Sequence, residues 1–561
     1  MLQPSTEEAN KAIFALCKRI AGNREITAVC IYGPSVSGYG NETSEINVLL
    51  VLRGFASRLQ SYRKKVGERR AFVLAVDQAA FQRDISAGWL GEIAAEKLLL
   101  PYEALINSDY LLRQEVTLKR RVVWELLESL VLEFPELSHE LMIKPEYFMH
   151  ETQMERARLF PLIAYRFLNI LQTDIRQRNI EAMMKGYWQA LEDLAQDKWI
   201  TLTNGTVRIT PKLVRATKSK RIRIPAFWRS VQRAALMHVF STLPRMLAPL
   251  AFEEEYYAKH HSNVKETENV VLKLEDSKDH VLMPTPSGLV PLSDATDIQD
   301  FVRKAVPSAA DVAVETKEMG GVLNSVYLLT LGKEQGEQKI VVKKFRDWTG
   351  VKWFPLALWS LGTKSFAVLG KSRLEREYAL NQYLRSNGLI VPRILHISPK
   401  QHLIFQEFVE GKTMVETIKS ILTAQEDVAG KLQLVREAGK QIARAHQLGV
   451  GLGDCKPENI IVTKDGELCF VDLEQASRDG DYTWDIAEFL YYCGHYVPPL
   501  APTNKIEHVT QAFTDGYIEA GGKKETVMKA ASPRYTKVFS IFTQPQVILV
   551  ISNLCRKVKQ Q

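Results

Sequence analysis

Three side chains in one short stretch, Asp454, Asn459 and Asp472, have the chemistry needed to handle a phosphoryl group. Two apolar runs of β-forming residues lie between Asn459 and Asp472, and an Asp-Gly turn separates them. This pattern predicts a β-hairpin, which brings Asn459 and Asp472 side by side. A carboxamide and a carboxylate there can hold Mg²⁺ against nucleotide phosphates, while Asp454 can accept a hydroxyl proton. The stretch therefore predicts phosphotransfer.

The order of these residues resembles the protein-kinase-like superfamily, with its HxDxxxxN catalytic loop and its DFG triplet. The run from Asp454 through Lys456 to Asn459 resembles the loop of eukaryotic-type Ser/Thr kinases, which implies that Lys456 steadies the γ-phosphate. Asp472-Leu473-Glu474 in place of DFG is similar instead to the atypical branch of RIO-type kinases, aminoglycoside phosphotransferases and choline kinases. The resemblance implies ATP and Mg²⁺ as cofactors, with Asp454 catalytic and with Asn459 and Asp472 as metal ligands.

Parts that resemble a nucleotide-binding lobe precede this stretch in the expected order. Gly320, Gly321, Asn324 and Ser325 fall in a run similar to the GGxxNxVY phosphate loop of aminoglycoside and choline kinases. Lys343 ends an apolar strand, as in the VAIK strand of kinases, which implies contact with the α and β phosphates. These residues are expected to bind the cofactor.

A helix predicted after this strand should supply the partner of Lys343. Ser372 opens a capping-box pattern, and an Asn-Gly pair marks the end of the helix. Glu377 shares a helical face with three leucines, whereas Glu375 does not. A carboxylate in an apolar stripe needs a cation, so we expect Glu377 to pair with Lys343. The alternative is a solvated Glu377 on a shifted face.

Two further positions complete the resemblance. Glu407 and Phe408 follow an apolar strand where a hinge would offer its backbone to adenine. Asp485 resembles the Asp that begins a long helix and braces the catalytic loop from below.

The chain departs from the kinase pattern in two places. Leu452 stands where the catalytic loop normally has a His that supports the metal-binding Asp. Its replacement weakens this support but removes no reacting group. The twelve residues 473–484 leave no room for a long phosphorylatable activation loop. These departures favour an atypical kinase that is constitutively shaped or controlled by another domain. A pseudokinase remains the alternative.

Composition indicates a multidomain globular protein. The chain has 561 residues, 46% of them hydrophobic and 25% charged, which is ordinary for globular proteins. No apolar run approaches the ~18 residues of a membrane span, and Glu7 and Glu8 are unlike a signal peptide. The six cysteines form no CxxC pair or ligand spacing, so we expect reduced thiols in a cytoplasmic protein, with no zinc site and no disulfide framework.

The first 150 residues resemble the minimal nucleotidyltransferase signature, a glycine-bearing turn followed by a strand with two acidic positions. Gly33 begins the turn, and Glu45 and Asn47 occupy the acidic positions. Two-metal nucleotidyl transfer needs clustered carboxylates, and Asn47 carries no charge. Asp77 is a doubtful third ligand. We therefore expect a nucleotidyltransferase-like α/β domain that has lost activity, with an unrelated small α/β domain as the alternative.

Residues 151–252 are predicted to be helical and winged-helix-like. A helix over 180–194 is followed by a hairpin with an Asn204-Gly205 turn. Between Arg208 and Arg233 there are nine Lys or Arg residues and no acid, a strip that could attract nucleic acid or another anionic partner. Residues 253–305 are predicted to be a linker.

The sequence thus predicts an α+β multidomain protein with a bilobal kinase-like fold over residues 306–561. The expected function is an atypical, RIO-like Ser/Thr protein kinase that transfers the ATP γ-phosphate to a protein hydroxyl. Two alternatives are a small-molecule phosphotransferase of the aminoglycoside or choline kinase type and an inactive regulator that binds nucleic acid.

Overall fold

The structure is a computed structural model that divides into two compact units, Met1–Leu282 and Met283–Gln561. We call them the first and the second unit. The structure describes residues 6–41, 44–159, 161–219, 274–286, 288–305, 314–318, 324–331, 338–347, 369–423, 428–498 and 501–558.

The first unit begins with a mixed sheet of strand order β3-β4-β2-β1-β5, in which β2 is parallel to β4 and the other pairings are antiparallel. Apolar side chains of α1, β1 and β2 form its core, among them Leu16, Ile31 and Leu50. Strands that are buried on both faces read as continuous apolar runs, and β2 does so. The elements up to residue 133 are α1 (Thr6–Ala21), β1 (Ile26–Tyr32), α2 (Pro34–Ser37), β2 (Ile46–Leu52), β3 (Leu59–Val66), β4 (Arg69–Asp77), α3 (Gln78–Ala87), β5 (Tyr102–Ile106) and α4 (Ser108–Glu133).

Helices and a hairpin follow in the first unit. The helix predicted over 180–194 is confirmed within α7, and the predicted hairpin is β7 and β8. Asn204 and Gly205 both have positive φ, 50° and 72°, as an Asn-Gly hairpin turn requires. The remaining elements are β6 (Met142–Ile143), α5 (Glu146–Leu159), α6 (Pro161–Ile170), α7 (Arg176–Gln196), β7 (Ile200–Thr203), β8 (Thr206–Ile209), α8 (Pro211–Ser219) and the start of β9 (Val281–Thr285).

The second half of the predicted linker is regular structure. Residues 253–273 lie outside the described part of the chain, but β9 is followed by β10 (Gly288–Pro291) and α9 (Ile298–Ala305). Phe301 of α9 stacks on Phe405 with ring centroids 4.0 Å apart. The apolar face of α9 therefore packs on the sheet that follows.

That sheet has strand order β11-β12-β13-β15-β14, with antiparallel pairing throughout. Its core includes Leu329, Val342 and Phe405. The elements are β11 (Val314–Glu318), β12 (Asn324–Leu331), β13 (Gln338–Phe345), α10 (Gly370–Ser386), β14 (Ile394–Ser398) and β15 (Leu403–Glu407).

A larger, mainly helical core completes the second unit, with Ile442, Phe489 and Phe513 among its buried residues. Its elements are β16 (Gly411–Thr413), α11 (Met414–Thr423), α12 (Ala429–Gln447), β17 (Val450–Gly451), β18 (Ile460–Thr463), β19 (Leu468–Phe470), β20 (Ser477–Arg478), α13 (Tyr482–His495), α14 (Asn504–Glu519), α15 (Lys524–Ala530), α16 (Pro533–Phe539) and α17 (Pro545–Lys557). This mixed α+β architecture is compatible with the kinase-like fold expected for residues 306–561. The division into three domains and a linker stays a prediction.

Candidate functional site

The predicted hairpin brings the two predicted metal ligands to the same end. Strands β18 and β19 pair antiparallel, with Ile460 opposite Phe470. One residue further on, the backbone N–H of Val471 donates to the carbonyl of Asn459 at 2.9 Å. Asn459 and Asp472 therefore flank adjacent strand ends, as the Asp-Gly turn predicts.

Asp472 has an unusual backbone conformation. Its φ is +68°, in the left-handed region that residues other than glycine rarely occupy. Its carboxylate Oδ1 lies 3.3 Å from the Nζ of Lys343, and about a third of the side chain is exposed. Backbone strain of this kind clusters at functional sites, where the surroundings hold one side chain in a required direction.

Lys343 is paired with the residue that the helical pattern indicates. Its Nζ lies 2.9 Å from Oε1 of Glu377, and both side chains are buried. Burial lowers the pKa of the Lys343 ammonium, but the carboxylates of Asp472 and Glu377 together hold that pKa above its ordinary value. Burial raises the pKa of Glu377, against the attraction of Lys343. One ammonium thus links the helix α10 to the Asp472 carboxylate.

The start of α10 differs from the prediction. The helix begins at Gly370, two residues before Ser372, and the carboxylate of Asp347 accepts the Gly370 N–H at 2.6 Å. Asp347, which is distant in the sequence, accepts the hydrogen bond at this helix start, where the sequence predicted a local capping box. Glu375, predicted to lie off the apolar face, is also buried. The helix ends at Ser386 with Asn387 as its C-cap, as predicted.

The catalytic-loop residues are connected through Asp454. Its Oδ2 accepts from the Nζ of Lys456 at 3.0 Å and from the Nδ2 of Asn459 at 2.9 Å. The same Nδ2 donates to the Asp454 carbonyl, also at 2.9 Å. Burial lowers the pKa of Lys456, but Asp454 raises it above its ordinary value.

These contacts fit a hard cation. Because the amide nitrogen of Asn459 is used twice by Asp454, its amide oxygen is left as the candidate ligand. Asp472 uses Oδ1 toward Lys343, and its second carboxylate oxygen is a further candidate. Mg²⁺ is bound by oxygen atoms of this kind together with phosphate oxygens.

Asp485 supports the catalytic loop from α13. Its two carboxylate oxygens accept the backbone N–H groups of Leu452 and Gly453, each at 2.7 Å. The position predicted to brace the loop therefore contacts it directly.

His446 was missed by the sequence reasoning. Its Nε2 lies 3.0 Å from Oδ2 of Asp485, and its Nδ1 lies 2.8 Å from the hydroxyl of Tyr517. Leu452 is buried where the loop normally has its own His. An imidazole thus contacts the bracing Asp from α12, and its only sequence signal is a His on the apolar face of an amphipathic helix.

A second carboxylate of α13 also holds the loop. Oε2 of Glu488 accepts the backbone N–H of Cys455 at 2.7 Å and the indole N–H of Trp484 at 2.9 Å. Charged acceptors make the stronger class of hydrogen bond. Asp485 and Glu488 lie about one turn apart on α13. This one helix therefore holds the backbone on both sides of Asp454.

Glu474 forms a buried ion pair with α10 that the sequence reasoning also missed. The guanidinium of Arg373 lies 3.2 Å from Oε1 and 3.3 Å from Oε2 of Glu474, and both side chains are almost fully buried. Arg373 also donates to the carbonyl of Arg346, at the end of β13. The residue that replaces the glycine of DFG therefore ties the Asp472 segment to the helix that carries Glu377.

The structure describes only some of the residues predicted to contact the nucleotide. Gly320 and Gly321 lie outside the described residues, while Asn324 and Ser325 begin β12 opposite Phe345 and Lys344.

The predicted hinge amides are already used within the protein. The N–H of Glu407 donates to Arg393 at 3.0 Å, and the N–H of Phe408 donates to Lys339 at 3.3 Å. In this arrangement neither amide is available to an adenine.

The candidate metal ligands of the first unit are occupied by other contacts. Asp77 caps α3 by accepting from the N–H groups of Ala79 and Ala80, and it also accepts from Phe55. Oε2 of Glu45 lies 3.6 Å from the guanidinium of Arg63. The third-ligand role doubted for Asp77 receives no support from this geometry.

The basic strip is described as far as residue 219. Lys212 donates to the carbonyl of Asp197 and lies 3.7 Å above the ring of Trp199, and Lys218 lies 3.8 Å from Glu136. Two of its lysines thus have partners within the protein. Nucleic-acid binding stays a prediction.

All six cysteines are free and buried. None of the helices in the described ranges combines the length and the apolar character that crossing a membrane demands.

Comparison with known proteins places the kinase resemblance in the same part of the chain. Residues 329–486 match the model of the lipopolysaccharide kinase (Kdo/WaaP) family. The chain is 28% identical over 111 residues to the KEOPS complex subunit Bud32 of Pyrococcus abyssi, which covers 20% of this chain and 48% of Bud32. It is 33% identical over 101 residues to protein kinase kin1 of Schizosaccharomyces pombe, which covers 18% of this chain and 11% of kin1.

The matches and the geometry agree on the region that matters. Residues 329–486 contain Lys343, Glu377, Asp454, Asn459 and Asp472. The chain spans about half of the length of Bud32 and about a tenth of that of kin1. Through this region, the chain is a member of the protein-kinase-like superfamily.

Proposed function

We propose that the protein is an ATP- and Mg²⁺-dependent kinase that transfers the γ-phosphate to a Ser or Thr hydroxyl of a protein. The observation that carries this proposal is the linked set of ion pairs and hydrogen bonds around Lys343 and Asp454. Lys343 is held by Glu377 and Asp472, and Asp454 is held beside Lys456 and Asn459. Each group has the contact that its role in phosphoryl transfer requires.

The chain's residues divide the chemistry between them. When bound, ATP supplies the γ-phosphoryl group and Mg²⁺ supplies positive charge against the phosphates. Lys343 orients the α and β phosphates, while Asn459 and Asp472 hold the cation through their side-chain oxygens. Asp454 accepts the proton of the attacking hydroxyl as the new P–O bond forms and the bond to the ADP oxygen breaks.

Lys456 favours a protein hydroxyl as the acceptor. Its ammonium lies 3.0 Å from the proposed base, so it can contact the γ-phosphate at the moment of transfer. This arrangement resembles the Asp-x-Lys loop of Ser/Thr kinases. The similarity to kin1, a protein kinase by name, points the same way.

A second candidate is transfer to a hydroxyl of a sugar or another small molecule. The match to the lipopolysaccharide kinase family favours it, because that family's name specifies a glycolipid substrate. Glu474 in place of the DFG glycine also resembles the small-molecule branch.

One assay separates the candidates. The full chain is incubated with Mg²⁺ and ATP labelled at the γ-phosphate, together with a generic basic protein or with a panel of sugars and amino alcohols. Label on the chain itself or on the protein acceptor supports the first candidate, and label on a small hydroxyl compound supports the second. Asp454→Asn serves as the inactive control and Asp465→Asn, an exposed carboxylate in the turn of the same hairpin, as the active one. Absence of transfer to every acceptor would overturn both.

For residues 1–150 we propose a nucleotidyltransferase-like domain without transferase activity. Asn47 carries no charge, and its side chain lies against Gly33, where an added Cβ would approach Asn47 Nδ2 to 2.6 Å. With Asp77 used as a helix cap, two-metal chemistry lacks its clustered anions.

A further inference from the structure

Three side chains with metal-binding chemistry meet in the first unit, away from the residues discussed above. His150 lies on α5, and Glu275 and His280 lie in the segment 274–280 that leads into β9. One potential ligand atom from each residue lies within 4.8 Å of the other two. More than a hundred residues separate His150 from its two partners, so the fold brings them together.

The imidazoles of His150 and His280 lie face to face, with His150 buried and His280 half-buried. Their rings stack with centroids 4.8 Å apart and an interplanar angle of 19°. Both ring nitrogens of His280 are buried and have no hydrogen-bond partner in the described part of the chain. A buried polar atom without a partner is destabilising, and a metal ion that accepts a lone pair from one ring nitrogen would satisfy that atom.

The surroundings of both imidazoles oppose protonation. Burial and the neighbouring His280 lower the pKa of His150 to about 4. Burial also lowers the pKa of His280. A neutral imidazole has a free lone pair at neutral pH, whereas an imidazolium has none.

Glu275 supplies the anion. Its Oε2 lies 3.9 Å from Nε2 of His150, and its Oε1 accepts from the guanidinium of Arg176 at 2.7 Å. The hydrogen bond from Arg176 lowers the pKa of Glu275, so the carboxylate is ionised at neutral pH. Arg176 is also a competing cation. It occupies one carboxylate oxygen and leaves the other directed to His150.

We propose that His150, Glu275 and His280 bind one Zn²⁺ ion and thereby fasten the segment 274–280 to α5. Two imidazoles and a carboxylate are a known Zn²⁺ ligand set, and a water molecule completes the tetrahedron in such sites. Ligand atoms at Zn²⁺ lie about 2.0–2.2 Å from the metal, so binding draws the three side chains together from their present spacing.

The test uses the full chain, expressed without a histidine tag and stripped with chelator. Zn²⁺ alone is titrated by calorimetry, and the bound metal is counted after dialysis. We expect one Zn²⁺ per chain in the wild type. His280→Ala and Glu275→Gln should each weaken binding by at least ~100-fold, since each removes a ligand. Co²⁺ in place of Zn²⁺ should give the visible absorption of a tetrahedral site, and both variants should lose it.

The control is the adjacent pair His260 and His261, two imidazoles outside the proposed ligand set. The double variant His260→Ala/His261→Ala should keep the same stoichiometry, affinity and Co²⁺ spectrum. Zn²⁺ binding that disappears in this double variant, or that persists unchanged in His280→Ala, would overturn the proposal. Glu275→Gln keeps the shape of the side chain, so circular dichroism identical to that of the wild type separates loss of the ligand from loss of the fold.

Discussion

Asp454 and Asp472 are both carboxylates of the proposed site, but their neighbours differ. Asp454 accepts hydrogen bonds from Lys456 and Asn459, while Asp472 faces Lys343 from a left-handed backbone position. The first arrangement suits a base that meets the acceptor hydroxyl, and the second suits a ligand of the nucleotide-bound cation.

We therefore expect Asp454→Asn and Asp472→Asn each to lower phosphotransfer by at least ~10²-fold, the scale at which positioned acid–base and metal groups act. Asp454→Asn should still bind ATP in the presence of Mg²⁺, because its cation ligands remain. Asp472→Asn should lose the Mg²⁺-dependent part of ATP affinity. Labelled phosphate transfer and calorimetry with and without Mg²⁺ measure the two effects. Wild-type turnover in Asp454→Asn would contradict the proposed mechanism.

At the scale of elements, the Arg373–Glu474 pair joins α10 to the segment after Asp472. Glu474→Ala leaves the Arg373 guanidinium buried without its counter-charge, and breaking a buried pair in this way costs roughly 3–5 kcal/mol. We expect a lower midpoint of thermal unfolding and weaker phosphotransfer, because Glu377 and Asp472 both depend on this connection for their positions.

The double variant Arg373→Met/Glu474→Leu separates stability from positioning. Replacing a buried pair by apolar residues of similar volume is often neutral or stabilising, so the unfolding midpoint should recover. Phosphotransfer should stay low, because no charge then ties α10 to the Asp472 segment. Full recovery of activity would show that the pair acts through stability alone. The exposed pair Lys464–Glu410 is the matched control, and Glu410→Ala should change neither property.

A second element-scale prediction concerns the contact between α12 and α14. These helices approach closely at two glycines: a Cβ on Gly516 would lie 2.0 Å from the carbonyl oxygen of Arg436, and one on Gly439 would lie 2.2 Å from that of Phe513. Gly516→Ala therefore forces the helices apart. We expect a loss of about 1–3 kcal/mol or more in the free energy of unfolding.

Gly430→Ala is the control, since Gly430 is an exposed position of α12, the helix that packs on α14, with no atom within 4 Å of an added Cβ. Alanine in a helix interior is about 0.5–1 kcal/mol more stable than glycine, and Gly430 is the second residue of the helix, so this variant should unfold at the wild-type temperature or slightly above it. Scanning calorimetry of both variants gives the comparison. Equal midpoints for Gly516→Ala and Gly430→Ala would mean that the close helix approach does not limit stability.

At the scale of the whole molecule, each unit has its own hydrophobic core, but the complete set of predicted phosphotransfer residues lies in the second. We expect ATP with Mg²⁺ to slow amide hydrogen exchange in β13, in α10 and from residue 452 to 472, and to leave residues 6–159 unchanged. A ligand at 100 times its Kd stabilises the state that binds it by about 2.7 kcal/mol, which is a measurable change in exchange. Mass-spectrometric exchange on the full chain measures it.

The exchange experiment also tests the proposal that the nucleotidyltransferase-like domain is inactive. Protection of the residues around Gly33 and Asn47 by ATP would show that this unit keeps a nucleotide site. Nucleotidyl transfer by the wild-type chain would show that it keeps its activity as well.

The sequence by itself determined the local parts of the site. The hairpin between Asn459 and Asp472 follows from strand-forming residues around an Asp-Gly turn, and the Lys343–Glu377 pair follows from one carboxylate in an apolar helical stripe. These signals are short-range, because turn chemistry and helical periodicity depend on neighbours along the chain.

Tertiary structure alone decided which distant charges meet. Asp347 caps α10 across 23 residues, Arg373 meets Glu474 across 101, and His446 meets Asp485 across 39. The sequence pattern does not predict such contacts, because each one depends on how separate helices and strands pack together. His150, Glu275 and His280 are the extreme case: as single residues in the sequence they carry no ligand spacing, and only the folded chain places them around one point.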